Sequence, residues 1–301
     1  MPTTHPPKLI EPRSVHGSGE VGDFPFDLYT RACLAQGDSW FSIGAVPPTA
    51  TSNVLDELAL AHSTVIVNCA APGKVLRRMT DTTREQLFLG LLTGRLARKW
   101  DAILLSGMGN DLIDAAGASP TAPPHLRLLR SVAERAAGPQ LPPLSGDGYI
   151  SNPGWATFAN HLGAVLQALV QQRNSGVNRN VPLLLHNYSR LMPRPAPAGA
   201  GFGPWLAPSL TRFAVPSADW LAVADALMDR LDALVRSLLQ AAHQADPACA
   251  LFLVDTRSAG LLLAKPGSSG PSGDFINEIH PSRRGYRKVA ALWSRQLDSL
   301  P

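Results

Sequence analysis

A hydroxyl and an imidazole stand at two positions from which they could act together. Ser39 lies in "GDSW" directly after a short apolar run, and His280 lies in "DFINEIHPS" near the C-terminus. Serine is a weak nucleophile until a neighbouring base takes its proton, and an imidazole suits that role near neutral pH. The pair indicates nucleophilic attack by Ser39 with His280 as general base, which is the chemistry of acyl transfer.

Acyl transfer also requires hydrogen-bond donors for the negative oxygen of the tetrahedral intermediate. Three candidates follow apolar runs: the backbone N–H groups of Ser39 and Gly73, and the side-chain amide of Asn110 in "GMGND". A glycine lets the backbone approach a substrate closely, and a side-chain amide is a neutral donor. These three groups form the predicted oxyanion hole.

The elements that must position these groups can be read from the apolar pattern. Five runs have the length and composition of buried parallel strands. They are "ACLAQ" (32–36), "TVIVNC" (64–69), "AILLSG" (102–107), "PLLLHN" (182–187) and "ALFLVD" (250–255). In an open parallel sheet, ligands bind beyond the carboxyl ends of the strands, which is where the candidate residues stand.

Helical patterns separate the predicted strands. They lie at 82–100, about 155–173, about 218–245 and after Ser282. The first opens with Thr82 and Glu85 at capping-box spacing and places Leu87, Leu91 and Leu92 on an inward face. Alternating strands and helices predict an α/β fold with a parallel sheet and helices on both faces.

No internal repeat or linker divides the chain, so we expect one domain over 1–301. Its core covers about 32–298 and follows an N-terminal extension over 1–30. Two segments, 112–152 and 190–217, are too long for plain connections and are expected as loop insertions. The second is rich in proline and glycine yet carries large apolar side chains, as a lid, a pocket wall or an ordered surface excursion would.

The four blocks around the candidate residues resemble those of a known family. "GDSW", the glycine in "NCAAPGK", "GMGND" and the histidine in "HP" look like the blocks of the SGNH, or GDSL-type, hydrolases, in the same order. The resemblance implies an esterase or lipase with a three-layer α/β/α, flavodoxin-like fold around a five-stranded parallel sheet. It also implies Ser39 as nucleophile, His280 as base, and Gly73 and Asn110 as oxyanion-hole donors.

One block departs from the family pattern. The family usually carries an aspartate three residues before the histidine, and this chain has Asn277 there. Asp274, one helical turn earlier, is the favoured support for His280, with Asn277 holding the loop. Glu278 could take that role instead, or Asn277 and a backbone carbonyl could support a Ser–His dyad. Asp255, at the end of the fifth predicted strand, is a more distant candidate.

Composition disfavours several other functions. The net charge is only +4, and the basic residues form no phosphate-binding stripe, so we expect no nucleic-acid partner. The three cysteines have no zinc-site spacing. "GSGEVG" at 17–22 matches a dinucleotide fingerprint but lacks the preceding strand. The N-terminus lacks the apolar core of a secretory signal, and no stretch could span a bilayer, so we expect a cytoplasmic protein without stable membrane insertion.

These observations together predict a serine ester hydrolase that needs no metal or organic cofactor. Its expected substrate is a small-molecule or lipid ester. A thioesterase or a lysophospholipase would use the same residues. A catalytically silent binding protein on the same scaffold is a further possibility, which the asparagine at 277 favours.

Overall fold

The computed structural model describes residues 4–16, 23–42, 52–137, 146–199 and 201–300, and it centres on a sheet of six parallel strands. The strands are β1 (Lys8–Ile10), β2 (Arg31–Gly37), β3 (Thr64–Asn68), β4 (Ala102–Ser106), β5 (Leu183–His186) and β6 (Leu251–Val254). Each of the five predicted strands is present, with ends that differ by at most one residue.

The expected strand count of five is wrong by one edge strand. β1 lies in the segment expected as an N-terminal extension and pairs in parallel with β3, with Lys8 opposite Val65. Lys8 is exposed and the other two residues are only partly buried, so the strand lacks the long apolar run by which the other five could be recognised. The segment at 17–22, which carries the dinucleotide-like "GSGEVG", lies outside the described residues.

The strand order confirms the predicted three-layer fold. The sheet reads β1-β3-β2-β4-β5-β6, and without β1 this is the flavodoxin-like order. The chain leaves β2 for a neighbour on one side and later returns to β4 on the other side. Because parallel crossovers are right-handed, the change of direction places helices on opposite faces of the sheet. The crevice of such a sheet opens where the order reverses, at the carboxyl end of β2.

Nine α-helices accompany the strands in the described part of the chain. They are α1 (Ser39–Ser42), α2 (Leu76–Met79), α3 (Gln86–Leu92), α4 (Gly109–Ala116), α5 (Val132–Ala137), α6 (Asn152–Asn174), α7 (Ala207–Arg212), α8 (Trp220–Ala245) and α9 (Arg283–Asp298). The predicted helices near 155–173, near 218–245 and after Ser282 correspond to α6, α8 and α9. The Ser282 side chain caps α9 by accepting a hydrogen bond from the Gly285 N–H at 3.3 Å.

The long helix predicted over 82–100 is wrong, because only α3 forms there. The Glu85 carboxylate makes no capping bond; it accepts hydrogen bonds from Lys74 at 2.9 Å and Gln36 at 2.8 Å instead. Leu87, expected on the inward face, is 42% exposed. A tertiary ion pair with Lys74 has taken the side chain that the capping box required, and the helix starts at Gln86, four residues after the predicted start at Thr82.

The two segments expected as loop insertions contain short helices. The first, 112–152, includes the end of α4, all of α5 and a 3₁₀ turn at Gly146–Tyr149 that packs on α8. The second, 190–217, includes α7. Within the described ranges, no helix is long and apolar enough to cross a membrane.

Candidate active site

Ser39 begins a short helix at the carboxyl end of a central strand. β2 ends at Gly37, where a Cβ would lie 2.7 Å from the Cβ of Ser106, so only glycine permits this close approach of β4. Asp38 then turns the chain, because its Oδ1 accepts a hydrogen bond from the Trp40 N–H at 2.9 Å. Ser39 is consequently the first residue of α1, at the sheet edge where ligands bind.

His280 reaches Ser39 from the loop that precedes α9. Its Nε2 lies 2.8 Å from the Ser39 Oγ, although 241 residues separate the two in sequence. The imidazole is 2% exposed, and burial lowers the pKa of His280 from its ordinary value to about 3. The ring is therefore neutral at physiological pH, as a general base must be before it accepts a proton.

Asn277 supports the other side of the imidazole. Its Oδ1 lies 3.0 Å from His280 Nδ1 and also accepts the backbone N–H groups of Ile279 at 3.1 Å and His280 at 2.8 Å. Two fixed backbone donors require the amide oxygen, and not the NH₂ group, at this position. Nδ1 then carries the proton, which leaves the Nε2 lone pair facing the Ser39 hydroxyl.

Asp274, the favoured support in the sequence analysis, does not contact His280, and this preference is corrected. Its Oδ1 accepts a hydrogen bond from Arg284 at 2.6 Å, and its Oδ2 accepts bonds from Lys288 at 2.7 Å and the Leu262 N–H at 2.8 Å. Both carboxylate oxygens are thus occupied at the start of α9. The lysine and arginine partners and the backbone bond lower the pKa of Asp274 against the opposing effect of its desolvation.

Glu278 and Asp255 likewise have partners away from the imidazole. The buried Glu278 carboxylate accepts four backbone N–H groups of the 190–217 segment. These belong to Arg194, Trp205, Leu206 and Ala207. Asp255 accepts a hydrogen bond from Asn187 at 2.8 Å and pairs with Arg236 at 3.1 Å.

The bonds to Glu278 attach the 190–217 segment to the histidine loop. Trp205 comes to lie edge-on against His280, with ring centroids 5.1 Å apart and an interplanar angle of 86°. The Arg194 guanidinium adds a bond to the backbone oxygen of Asn277 at 2.6 Å. The segment therefore packs on the histidine loop and shields the imidazole from water.

Of the three residues predicted to supply oxyanion-hole donors, Ser39 and Asn110 line the same cavity and Gly73 does not. The Ser39 backbone N–H is at a helix start and donates to no acceptor among the described residues. Asn110 lines the same cavity as Ser39 and uses one amide proton for the Lys74 carbonyl at 3.0 Å, which leaves its second proton free. That bond holds the turn at Gly73 against Asn110, but Gly73 itself is exposed and does not line the cavity.

A buried polar network lies beneath the Ser39 turn. The Asp38 carboxylate accepts a hydrogen bond from Ser106 Oγ at 2.7 Å and another from the Tyr188 hydroxyl. Ser106 in turn accepts a bond from His186 Nε2 at 2.9 Å. Burial raises the pKa of Asp38 to about 6 and lowers that of His186 to about 3. These groups brace the turn that presents Ser39, and none of them bonds to its hydroxyl, which contacts His280.

Sequence reasoning did not single out Ser106 or Tyr188. Ser106 ends β4, and Tyr188 follows β5 by two residues. Both positions satisfy the strand-end rule that identified Ser39, and applying it to every polar residue there would have found them. Trp205 had no such signal, because only the tertiary contacts of Glu278 bring it to the imidazole.

Ser39 and Asn110 open onto a cavity of ≈ 40 Å³. Within the described ranges, no group of three or more histidine, cysteine, aspartate or glutamate side chains is placed to hold a metal ion. The arrangement offers a hydroxyl, a neutral base and amide donors around one space. Those are the components of nucleophilic acyl transfer.

Several solved structures are similar to this chain at low sequence identity. No protein-family model and no curated protein sequence matches the chain. A lipase from a goat rumen metagenome is 14% identical, with 89% of this chain and 97% of the lipase covered and a TM-score of 0.49. A phospholipase A1 from Streptomyces albidoflavus is 14% identical, with coverages of 90% and 99% and a TM-score of 0.47.

An acetylxylan esterase from Geobacillus stearothermophilus is also 14% identical, with 89% of this chain and 94% of the esterase covered and a TM-score of 0.41. Each of these similarities extends over most of the chain.

Proposed function

We propose that the chain is a serine ester hydrolase of the SGNH type, with Ser39 as nucleophile and His280 as general base. The observation that carries the proposal is the 2.8 Å contact between Ser39 Oγ and His280 Nε2 in the tautomer that Asn277 imposes. A merely structural serine at a helix start would use its hydroxyl to cap the helix. Here the cap is provided by Asp38 instead.

The reaction begins with proton transfer from the Ser39 hydroxyl to His280 Nε2 as the Oγ attacks the ester carbonyl carbon. The carbonyl oxygen becomes an oxyanion, which accepts hydrogen bonds from the Ser39 N–H and the free amide proton of Asn110. The Gly73 N–H, the third predicted donor, belongs to a turn that does not line the cavity beside Ser39.

The tetrahedral intermediate then collapses, and the alcohol leaves with the proton that His280 Nε2 returns to it. A water molecule next gives a proton to Nε2 and attacks the acyl carbon of the Ser39 ester. The second intermediate collapses to the carboxylic acid as His280 Nε2 returns that proton to the leaving Ser39 Oγ, which restores the free serine and the neutral imidazole. Every bond made to Ser39 is broken again, so the cycle needs no further reactant.

The support that His280 receives is neutral. Asn277 orients the ring and sets its tautomer, but it does not balance the charge of the imidazolium formed in each transition state. The hydrogen bond to Oδ1 and the packing of Trp205 hold the ring in place. We therefore assign the site as a Ser–His dyad with an asparagine as the positioning residue.

The pH dependence of ester hydrolysis tests this proposal. The groups around the imidazole, Ser39, Asn277 and Trp205, are all uncharged, and burial holds the pKa of His280 at about 3. His280 then stays in its basic form as the pH falls below the ordinary histidine value of about 6.5. We expect kcat/KM for p-nitrophenyl acetate to keep its plateau down to roughly pH 5.

Tryptophan fluorescence at each pH separates a catalytic inflection from acid unfolding. Asp38, whose pKa is raised to about 6, could also produce an inflection in the pH–rate profile. The Asn277→Asp variant separates the two sources, because a substitution at Asn277 shifts only the inflection that His280 causes. Absence of any hydrolysis would reject the proposed function. A fall in kcat/KM near roughly pH 6.5 that moves upward in Asn277→Asp would show that burial does not depress the His280 pKa.

A further inference from the structure

The cavity beside Ser39 has polar groups at one end and a hydrocarbon wall elsewhere. Ser39 and Asn110 form the polar end. Of the other polar residues that line it, Asp38 is satisfied by Tyr188, and the Ser189 hydroxyl donates to a backbone carbonyl at 2.8 Å. Among the residues that line the cavity, no charged group remains to bind a sugar, a phosphate or a second carboxylate at the far end.

The hydrocarbon wall comes from four parts of the chain. Leu112 and Ile113 are on α4, Ala224, Leu227 and Met228 are on α8, Leu191 and Leu206 belong to the 190–217 segment, and Phe275 and Ile279 precede the catalytic histidine. Among these, Met228 is 5% exposed and Leu227 is fully buried. A space of this kind suits an alkyl group whose carbonyl carbon sits at the serine.

The size of the cavity limits that alkyl group. The cavity of ≈ 40 Å³ is about a quarter of the roughly 150 Å³ apolar cavity that holds one benzene molecule, so it has room for only a few carbon atoms. An acetyl to butyryl chain fits, whereas a fatty acyl chain would have to displace packed core side chains. Displacing packed side chains is unfavourable, since interiors are close-packed.

We propose that this cavity is an acyl-binding pocket for short chains, from acetyl to butyryl, and that Met228 sets its length limit. The proposal rests on the proposed function and names the substrate class for the same site. The thioether side chain of Met228 reaches the cavity from the first half of α8. Truncation to alanine removes three heavy atoms there and makes room for about two methylenes.

The test measures kcat/KM for p-nitrophenyl esters from acetate to octanoate. The wild-type protein is expected to hydrolyse esters over the range from acetate to butyrate. Its kcat/KM for hexanoate is expected to be at least about tenfold lower. In Met228→Ala the ratio of kcat/KM for hexanoate to kcat/KM for acetate is expected to rise about tenfold. The reason is that burial of each methylene of the acyl chain raises kcat/KM about fourfold. Ile113→Ala, at a half-buried wall position, gives a second variant with the same expected direction.

Leu231→Ala is the matched control. It removes three heavy atoms from the same helix at a buried position that does not line the cavity. Its hexanoate-to-acetate ratio is expected to equal that of the wild type, even though it also destabilises the core.

Preference of the wild type for octanoate, or an unchanged ratio in both Met228→Ala and Ile113→Ala, would overturn the pocket assignment. Hydrolysis still occurs in either case, so the proposed function survives that outcome. Absence of hydrolysis for every ester would instead reject the proposed function and the pocket with it.

Discussion

Ser39→Ala is expected to lower kcat for p-nitrophenyl acetate by about 10⁴-fold or more. The substitution deletes the oxygen that would form the acyl-enzyme, and His280 has no other hydroxyl within hydrogen-bond distance among the described residues. The deletion removes one hydrogen bond, which changes the free energy of unfolding by about 1 kcal/mol. A folded protein without turnover is therefore the expected result, measured by steady-state kinetics and chemical denaturation.

Ser42→Ala provides the matched control. Ser42 ends the same short helix, and its hydroxyl donates to the Asp38 carbonyl at 2.8 Å, away from the imidazole. This variant is expected to keep kcat within about threefold of the wild type. Turnover by a contaminant-free Ser39→Ala preparation at more than a small fraction of the wild-type rate would exclude Ser39 as the nucleophile.

The second large effect is expected at Asn277. Asn277→Leu keeps the number and branching of the side-chain heavy atoms but removes the oxygen that accepts three N–H groups, one of them on the His280 ring. Loss of ring orientation and tautomer should lower kcat by about 10²-fold or more. Asn277→Asp retains an acceptor oxygen and adds a negative charge, which raises the pKa of His280 and stabilises the imidazolium.

At alkaline pH the kcat of Asn277→Asp is therefore expected to equal or exceed that of the wild type. As the pH is lowered, the variant is expected to lose activity at a higher pH than the wild type does. The sign follows because a raised pKa leaves less neutral imidazole at a given acidic pH. Complete pH–rate profiles of the two Asn277 variants measure both effects.

Asp274→Asn separates the two candidate supports. The Asp274 carboxylate binds Arg284 and Lys288 in α9, so its replacement by an amide should lower the free energy of unfolding. The kcat of Asp274→Asn should stay within about threefold of the wild-type value. If Asp274→Asn abolished turnover in a folded protein while Asn277→Leu remained active, the assignment of Asn277 as the positioning residue would be wrong.

The parallel sheet and the position of Ser39 at its edge could be predicted because their signals are local. Apolar runs define the five inner strands, and the carboxyl ends of parallel strands meet at one edge of the sheet. That rule placed Ser39 and Asn110 beside one cavity. The order of the four blocks then indicated His280, which no periodicity could have connected with Ser39.

The support for His280 could not be predicted, because it depends on side-chain direction within a short loop. Asp274, Asn277 and Glu278 lie within five residues of one another, and each accepts backbone N–H groups, yet they face three different partners. Spacing alone does not distinguish these directions. The edge strand β1 and the missing capping box at Glu85 could not be predicted for the same reason. β1 forms by pairing with β3, and Glu85 binds Lys74, and both are tertiary contacts.

Covalent labelling by a serine-directed fluorophosphonate tests most directly whether a neighbouring imidazole activates Ser39. We expect the intact protein to gain the mass of one phosphonyl group, peptide mapping to place it on Ser39, and His280→Ala to remain unlabelled under the same conditions. Labelling at a different residue, or no labelling of a folded wild-type protein, would contradict the account.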